Sequence, residues 1–334
     1  VKLSKKLSML VASATLAFAA GSASAADLTL RFGHLGAEDT AYQAGALEFK
    51  RLAEEYSDGA IEVQIFPNGV LGGESQMFEQ QMAGALDVSV INPGNITDFA
   101  PTANIFTFPF LYKDEAHWQS VLSGEVGRDI ADILKEESSV QVIGYFGGGK
   151  RQVVSNRPLE SLEDLADMKL RTNPTDPLIA SWSALGTRPT NFAWKEIYTG
   201  LQLGSIDGLL NEAEWIHRMR FHEVAPHIGL SEHDITVRLV TFSGATWDRM
   251  TDEQRDVVLR AGAEASALAR EVQLRQDAEA MELLKAEGAI LYKMDREKMQ
   301  EMVRPAVLDV AGRMGLAELY DRIQASAADD ASGS

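Results

Sequence analysis

The chain has 334 residues, 45% apolar and 24% charged, a composition that excludes a disordered chain and suffices for two domains of ordinary size. Its 31 Lys and Arg stand against 49 Asp and Glu, a net charge of −18 that argues against nucleic acid or an anionic membrane surface as partner. There is no cysteine, which excludes a disulfide framework, a thiol nucleophile and a cysteine-ligated metal.

Residues 1–25 read as a secretory signal. Lys2, Lys5 and Lys6 make a basic start, Leu7 to Ala20 a short apolar run, and Ala23-Ser24-Ala25 a small-residue cleavage pattern. Its removal takes three of the 31 basic residues and no acid, leaving 28 against 49, a net charge of −21. No later run has 18 consecutive apolar residues, so the mature chain is expected to be soluble.

Leu28 to Phe32 alternates and reads as a strand ending at Gly33-His34. Residues 40–56 follow as an amphipathic helix with Ala41, Ala44, Leu47, Leu52 and Ala53 toward one side, stopped at Asp58-Gly59. Ile61 to Phe66 is an alternating strand, completing a β-α-β unit, the mark of a parallel sheet. A second helix opens at Leu71-Gly72-Gly73-Glu74 and closes at Gly84, and Leu86 to Ile91 is the next strand. Ligands in open α/β sheets lie beyond the carboxyl ends of the strands, which singles out His34, Glu74 and Asn92. The aromatic run Phe106 to Tyr112 reads as a loop packed into the core before it reads as a ligand contact.

Val140 to Phe146 is a strand that runs into Gly147-Gly148-Gly149, where a domain boundary is expected, and Gln152 to Ser155 continues extended. Leu159 to Asp167 is a short capped turn or helix. Arg171 closes the short apolar strand from Lys169, and a helix-like run extends to Leu185-Gly186. Trp194, and then Asn211 after Asp207-Gly208, follow. Ile235 to Phe242 reads as a strand, and Thr251 to about Glu287 as one long helix opened by the capping box Thr251-Asp-Glu-Gln254. The tail from Ala325 is small and polar and is expected to fray.

Few motifs offer chemistry. The stretch Gly144 to Lys150 nearly spells a phosphate loop, but Arg151 stands where Ser or Thr should hold magnesium. His217 and His222 are five apart and do not share a helix face well for metal. Glu212 and Glu214 are two apart and would diverge on a helix, and no nucleophile elbow occurs. No catalytic set, cofactor or metal site is therefore expected. What remains is a binding constellation: Arg151 and Arg171 at strand-to-loop positions, with Trp194 and Asn211. A guanidinium grips a carboxylate with two parallel hydrogen bonds, a geometry lysine cannot reproduce.

Leu71-Gly-Gly-Glu74-Ser-Gln-Met-Phe-Glu-Gln80, Phe108-Pro-Phe-Leu-Tyr112, Lys169-Leu-Arg171, Pro189-Thr190, Trp194-Lys-Glu-Ile-Tyr198 and Asp207-Gly208-x-x-Asn211 together resemble the solute-binding proteins of TRAP (tripartite ATP-independent periplasmic) transporters. The resemblance covers essentially the whole mature chain. It implies an α/β, two-domain periplasmic-binding-protein fold of the Venus-flytrap kind, with mixed sheets flanked by helices and a long helix spanning both domains. On this reading domain I comprises 26–149 and 237–276, domain II 150–236 and 277–325, and 326–334 form a flexible tail. The resemblance also implies site roles: Arg171 holds the ligand carboxylate, Arg151 supplies a second cation, Asn211 donates, Trp194 walls the pocket, and Asn92 and Glu74 face the cleft. The chain departs from the family where Leu209-Leu210-Asn211-Glu212 replaces Gln-Glu-Asn-Pro, so Glu212 could accept the hydroxyls of a sugar acid or meet a ligand ammonium.

The expected protein is a non-enzymatic periplasmic receptor, a monomer, that captures a small organic acid and delivers it to the membrane permease subunits. A uronate or aldonate is the lead ligand. The alternatives are a zwitterion such as ectoine or an amino acid within the same family, an exported α/β enzyme, and a ligand-sensing adaptor.

Overall fold

A computed structural model describes residues 26–329, so the signal read in residues 1–25 lies outside the described residues. Strand β1 (Leu28–Gly33) is followed by helix α1 (Ala41–Tyr56), and Thr40 caps the helix by accepting from the Gln43 amide. The face that α1 buries is Tyr42, Ala46, Phe49, Leu52 and Ala53. Leu47, expected on that face, is instead 50% exposed. It sits about 100° round the helix from Ala46, and the bulk of Tyr42 and Phe49 decides which side turns inward. β2 (Ile61–Phe66) pairs parallel with β1 over the whole strand.

Helix α2 (Glu74–Met82) leads to β3 (Val88–Ile91), two residues shorter than the apolar run suggests. The aromatic stretch 106–112 is buried, with Phe108, Phe110, Leu111 and Tyr112 in the largest apolar cluster. Helices α3 (Glu115–Ser123) and α4 (Glu125–Ser138) come next.

Strand β4 (Gln141–Ser155) runs without interruption through the three glycines that the sequence suggests as a break. It pairs antiparallel with β8 (His227–Phe242), which starts eight residues before the strand read from the sequence. The register slips between Gly147 and Lys150 and again between Arg151 and Val153. Gly147 has a φ of +103°, and a Cβ there would stand 2.4 Å from the Thr236 carbonyl oxygen, so the bulge requires glycine.

β5 (Lys169–Thr172), α5 (Asp176–Ala184), β6 (Arg188–Asn191), α6 (Ile197–Gln202), β7 (Gly208–Glu212) and α7 (Ala213–Arg218) build the second half. After β8 come the short α8 (Gly244–Trp247) and α9 (Asp252–Ala286), opened by the Thr251–Gln254 capping box. At 35 residues α9 is about 52 Å long. β9 (Ile290–Lys293), α10 (Arg296–Arg313) and α11 (Ala317–Asp329) end the described chain. The helix α11 runs to Asp329, and residues 330–334 lie outside the described residues.

Among the described residues nine strands form one sheet, in the order β2-β1-β3-β8-β4-β7-β5-β6, with β9 on β8. The mixed α/β architecture with flanking helices is as expected, but the halves share one sheet because β4 and β8 pass through both. α9 packs on α1, β4 and α7, spanning the molecule, and α10 lies on α5.

Candidate functional site

The turn after β3 and the turn after β5 face one another. Asn92 follows β3 and caps the turn by accepting from the Gly94 amide at 2.9 Å. Beyond β5, Asn173 donates through Nδ2 to Asn95 Oδ1 at 3.2 Å, so the two turns are in contact. Behind them lies a narrow cleft, lined by Asn92, Gly94, Phe106 and Thr107 on one side and by Asn173 and Leu178 on the other. Its floor is strand: Arg151 from β4 and Asp234, Thr236, Val237 and Arg238 from β8.

The floor carries a charged network. Buried Arg238 donates from Nε to the Tyr42 hydroxyl at 2.5 Å, and its Nη2 lies 3.4 Å from Glu212 Oε1. Burial works against its charge, but Tyr42, Glu212 and Glu74 hold it protonated, above the usual arginine range. The other oxygen of Glu212 lies 3.6 Å from Arg151 Nε, and Arg151 Nη1 lies 4.0 Å from Asp234 Oδ2. Burial, with Glu212 nearby, pushes Asp234 up to about 6. Asp277 of α9 is pushed up to about 7 by burial and then by Glu212, and its Oδ1 accepts from the Glu214 amide at 3.0 Å.

Arg171 is placed differently. Its Nε donates to the Phe192 carbonyl at 3.1 Å and its Nη1 to Asn173 Oδ1 at 3.2 Å, both neutral acceptors. Among the described residues no carboxylate pairs with it. Burial lowers it to about 10, and the like charge of Arg151 adds to the shift. It is a largely desolvated cation one side chain, Asn173, from the cleft.

The remaining expected site residues fall into two groups. Asn211 is buried opposite Gln152, with Oδ1 accepting from the Glu212 amide at 3.1 Å and Nδ2 left without a partner. Glu212 joins the arginine network, which Asn211 meets only through the Glu212 backbone amide. Glu74 acts on the turn, its Oε2 accepting from the Asn92 amide at 2.9 Å and from Asn95 Nδ2 at 2.6 Å. His34 is buried against Phe32 and Tyr42, bonded to Gln43 Oε1 at 2.9 Å, and burial lowers it to about 4, a neutral imidazole. Trp194 stands edge-on to Trp215 and Phe221, and Trp215 in turn packs on Tyr42, which holds Arg238. The aromatic ring that lines the cleft is Phe106.

Sequence reasoning passed over Asp234, Arg238 and Tyr42. A signal existed: Asp234, Thr236 and Arg238 alternate with apolar residues, putting a polar stripe on one strand face. His217 and His222, five apart, nevertheless stack with ring centroids 5.6 Å apart. The left-handed turn at Arg220 breaks the helix between them, and both Nε2 atoms reach Glu287. No group of three or more His, Cys, Asp or Glu is arranged to hold a metal among the described residues.

A mixed sheet threaded by two shared strands, a helix spanning both halves, and a cleft between opposed turns define a two-lobed ligand-binding protein. The chain belongs to the bacterial extracellular solute-binding proteins of family 7, whose family model matches residues 32–313, and it is a TRAP-type solute-binding protein. It is 33% identical over 324 residues to a solute-binding protein of Sulfitobacter sp. strain NAS-14.1, covering 96% of this chain and 98% of that one. It is similar to the solved structure of a TRAP periplasmic solute-binding protein from Sulfitobacter sp. NAS-14.1 with bound α-D-taluronate. There the TM-score is 0.84 and the identity 33%, over 89% of this chain and 97% of that one. A TRAP periplasmic protein from Roseobacter denitrificans with bound L-galactonate matches with a TM-score of 0.79 at 32% identity, over 86% and 95%. No helix among the described residues is long and apolar enough to cross a membrane.

Proposed function

We propose that the protein captures a sugar acid carrying one carboxylate, a uronate or aldonate, in the cleft between its lobes, and delivers it to the permease subunits of a TRAP transporter. The observation that carries this reading is the contrast at the cleft: Arg151 and Arg238 face carboxylates, while Arg171 has none. One cation without a carboxylate suits one carboxylate. A carboxylate on Arg171 forms charge-assisted hydrogen bonds and offsets the desolvation of the guanidinium. Asn211 Nδ2, buried without a partner, is a further donor for the ligand. The bound sugar acids of the taluronate and galactonate complexes agree with this choice.

The zwitterion reading needs a carboxylate free for an ammonium. Glu212 is only 2% exposed and lies between Arg151 and Arg238, which argues against it as the ammonium's partner, and the sugar acids bound in the similar structures favour the sugar-acid reading. The lobes are taken as 26–149 with 237–276 and 150–236 with 277–325, and residues 1–25 as an export signal removed in the periplasm. The function is binding without turnover, in a monomer. On this division Asn95–Asn173 and the pair Asp39–Arg218, 2.8 Å apart, tie the lobes together when the cleft shuts.

A thermal-shift screen of the mature protein against uronates, aldonates, dicarboxylates, amino acids and ectoine tests the reading. A saturating ligand at about 100 times its dissociation constant adds about 2.7 kcal/mol to stability. Upward shifts with uronates or aldonates are expected. Shifts confined to amino acids or ectoine would overturn it.

A further inference from the structure

We propose that Asp234 sets the selectivity of the cleft: its carboxylate accepts hydrogen bonds from hydroxyls at the end of the sugar acid remote from Arg171, and it turns away a second carboxylate there. The inference rests on the sugar-acid reading above.

Asp234 stands in register opposite Arg151, at the head of the polar stripe that β8 turns toward the cleft. Two acids therefore face Arg151, and they differ. Glu212 is 2% exposed and also lies against Arg238. Both acids lie beyond hydrogen-bond distance of Arg151, Glu212 at 3.6 Å from Nε and Asp234 at 4.0 Å from Nη1, but the Asp234 side chain keeps 17% of its surface while lining the cleft. Glu212 is enclosed between two guanidiniums; Asp234 opens on the cavity.

An ionised carboxylate is an acceptor only, and a sugar hydroxyl brings the donor it needs. A neutral polyol end therefore satisfies Asp234 without adding charge. A second ligand carboxylate at the same place meets a like charge, and both nearby guanidiniums already face Glu212. Like-charge juxtaposition of this kind suppresses wrong partners. Thr236 gives its one proton to the Gly149 carbonyl, so the donor left for the hydroxyls' own oxygens is Arg238, four positions on, through the N–H groups not given to Tyr42 and Glu212.

The test compares L-galactonate with galactarate, the same six-carbon chain carrying carboxylates at both ends, by calorimetry on the wild type, Asp234→Asn and Asp234→Ser. Unchanged melting temperatures without ligand establish that the variants fold. Wild type is expected to prefer galactonate by about tenfold or more, and both variants to lose that preference by weakening galactonate and strengthening galactarate about tenfold, the equivalent of one charged hydrogen bond. Variants that keep the wild-type preference would overturn the inference. So would a wild type that binds galactarate as tightly as galactonate. Arg171→Ala separates the two readings: loss of both acids upholds Arg171 as the carboxylate anchor whatever Asp234 does, whereas retention of both removes that anchor.

Discussion

Two guanidiniums stand at the cleft from neighbouring parts of the sheet, Arg151 lining it and Arg171 behind Asn173, and their surroundings differ. Arg151, on β4, lies between Glu212 and Asp234, and Glu212 is shared with Arg238. Arg171, on β5, touches a backbone carbonyl and an amide oxygen. The first region is an internally compensated network that keeps the floor in shape. The second holds a desolvated charge in reserve, which is unfavourable until an anion arrives. A residue of the same type thus does opposite work, and burial alone does not distinguish them; the partner does.

The largest effect should come from Arg171→Ala. Truncating one partner of a buried charged pair costs about 2–5 kcal/mol of affinity, so sugar-acid binding should fall below detection in calorimetry while ligand-free melting stays level or rises. Unchanged affinity would dissolve the distinction between the two arginines. Glu212→Ala should do the converse. Leaving Arg151 and Arg238 buried with a lost partner costs about 3 kcal/mol of stability, read as a lower urea midpoint of the ligand-free protein.

Asp277 sharpens the comparison through pH. Its folded value, pushed up to about 7 by burial and by Glu212, lies above the unfolded value of about 4. The folded state therefore holds the extra proton between these limits. Its contribution to stability is full below about pH 4 and is lost as pH rises through about 7, with a slope of roughly 1.4 kcal/mol per unit inside that window. Asp277→Asn should flatten this decline in urea titrations at pH 5, 6, 7 and 8; an unchanged slope would place the crowding elsewhere. The smallest effect belongs to Asn211→Ala, which removes a partnerless buried donor and should weaken sugar-acid binding by about 1 kcal/mol.

The local part of this fold was legible because local signals decide it. Alternation marks β1 and β2, and the Thr251 capping box marks the start of α9. The strand that carries Arg171 was readable too, although β5 runs on to Thr172 and Leu170 is its one apolar residue. The first half of β8 was not, because Glu232, His233 and Asp234 break the apolar pattern and only pairing with β4, some eighty residues earlier, makes the segment a strand. The partner of Glu212 was hidden for the same reason: Arg238 is 26 residues away and meets it only through the sheet. The stacked His217 and His222 depend on one left-handed residue, Arg220, that no helical period announces.

The most direct measurement is a crystal structure with a sugar acid bound, L-galactonate first. The account predicts the ligand carboxylate on the Arg171 guanidinium with two N–H···O contacts of about 2.8 Å, and Arg151 still lying against Glu212. A carboxylate seated on Arg151 instead, with Arg171 still bonded to the Phe192 carbonyl, would contradict it.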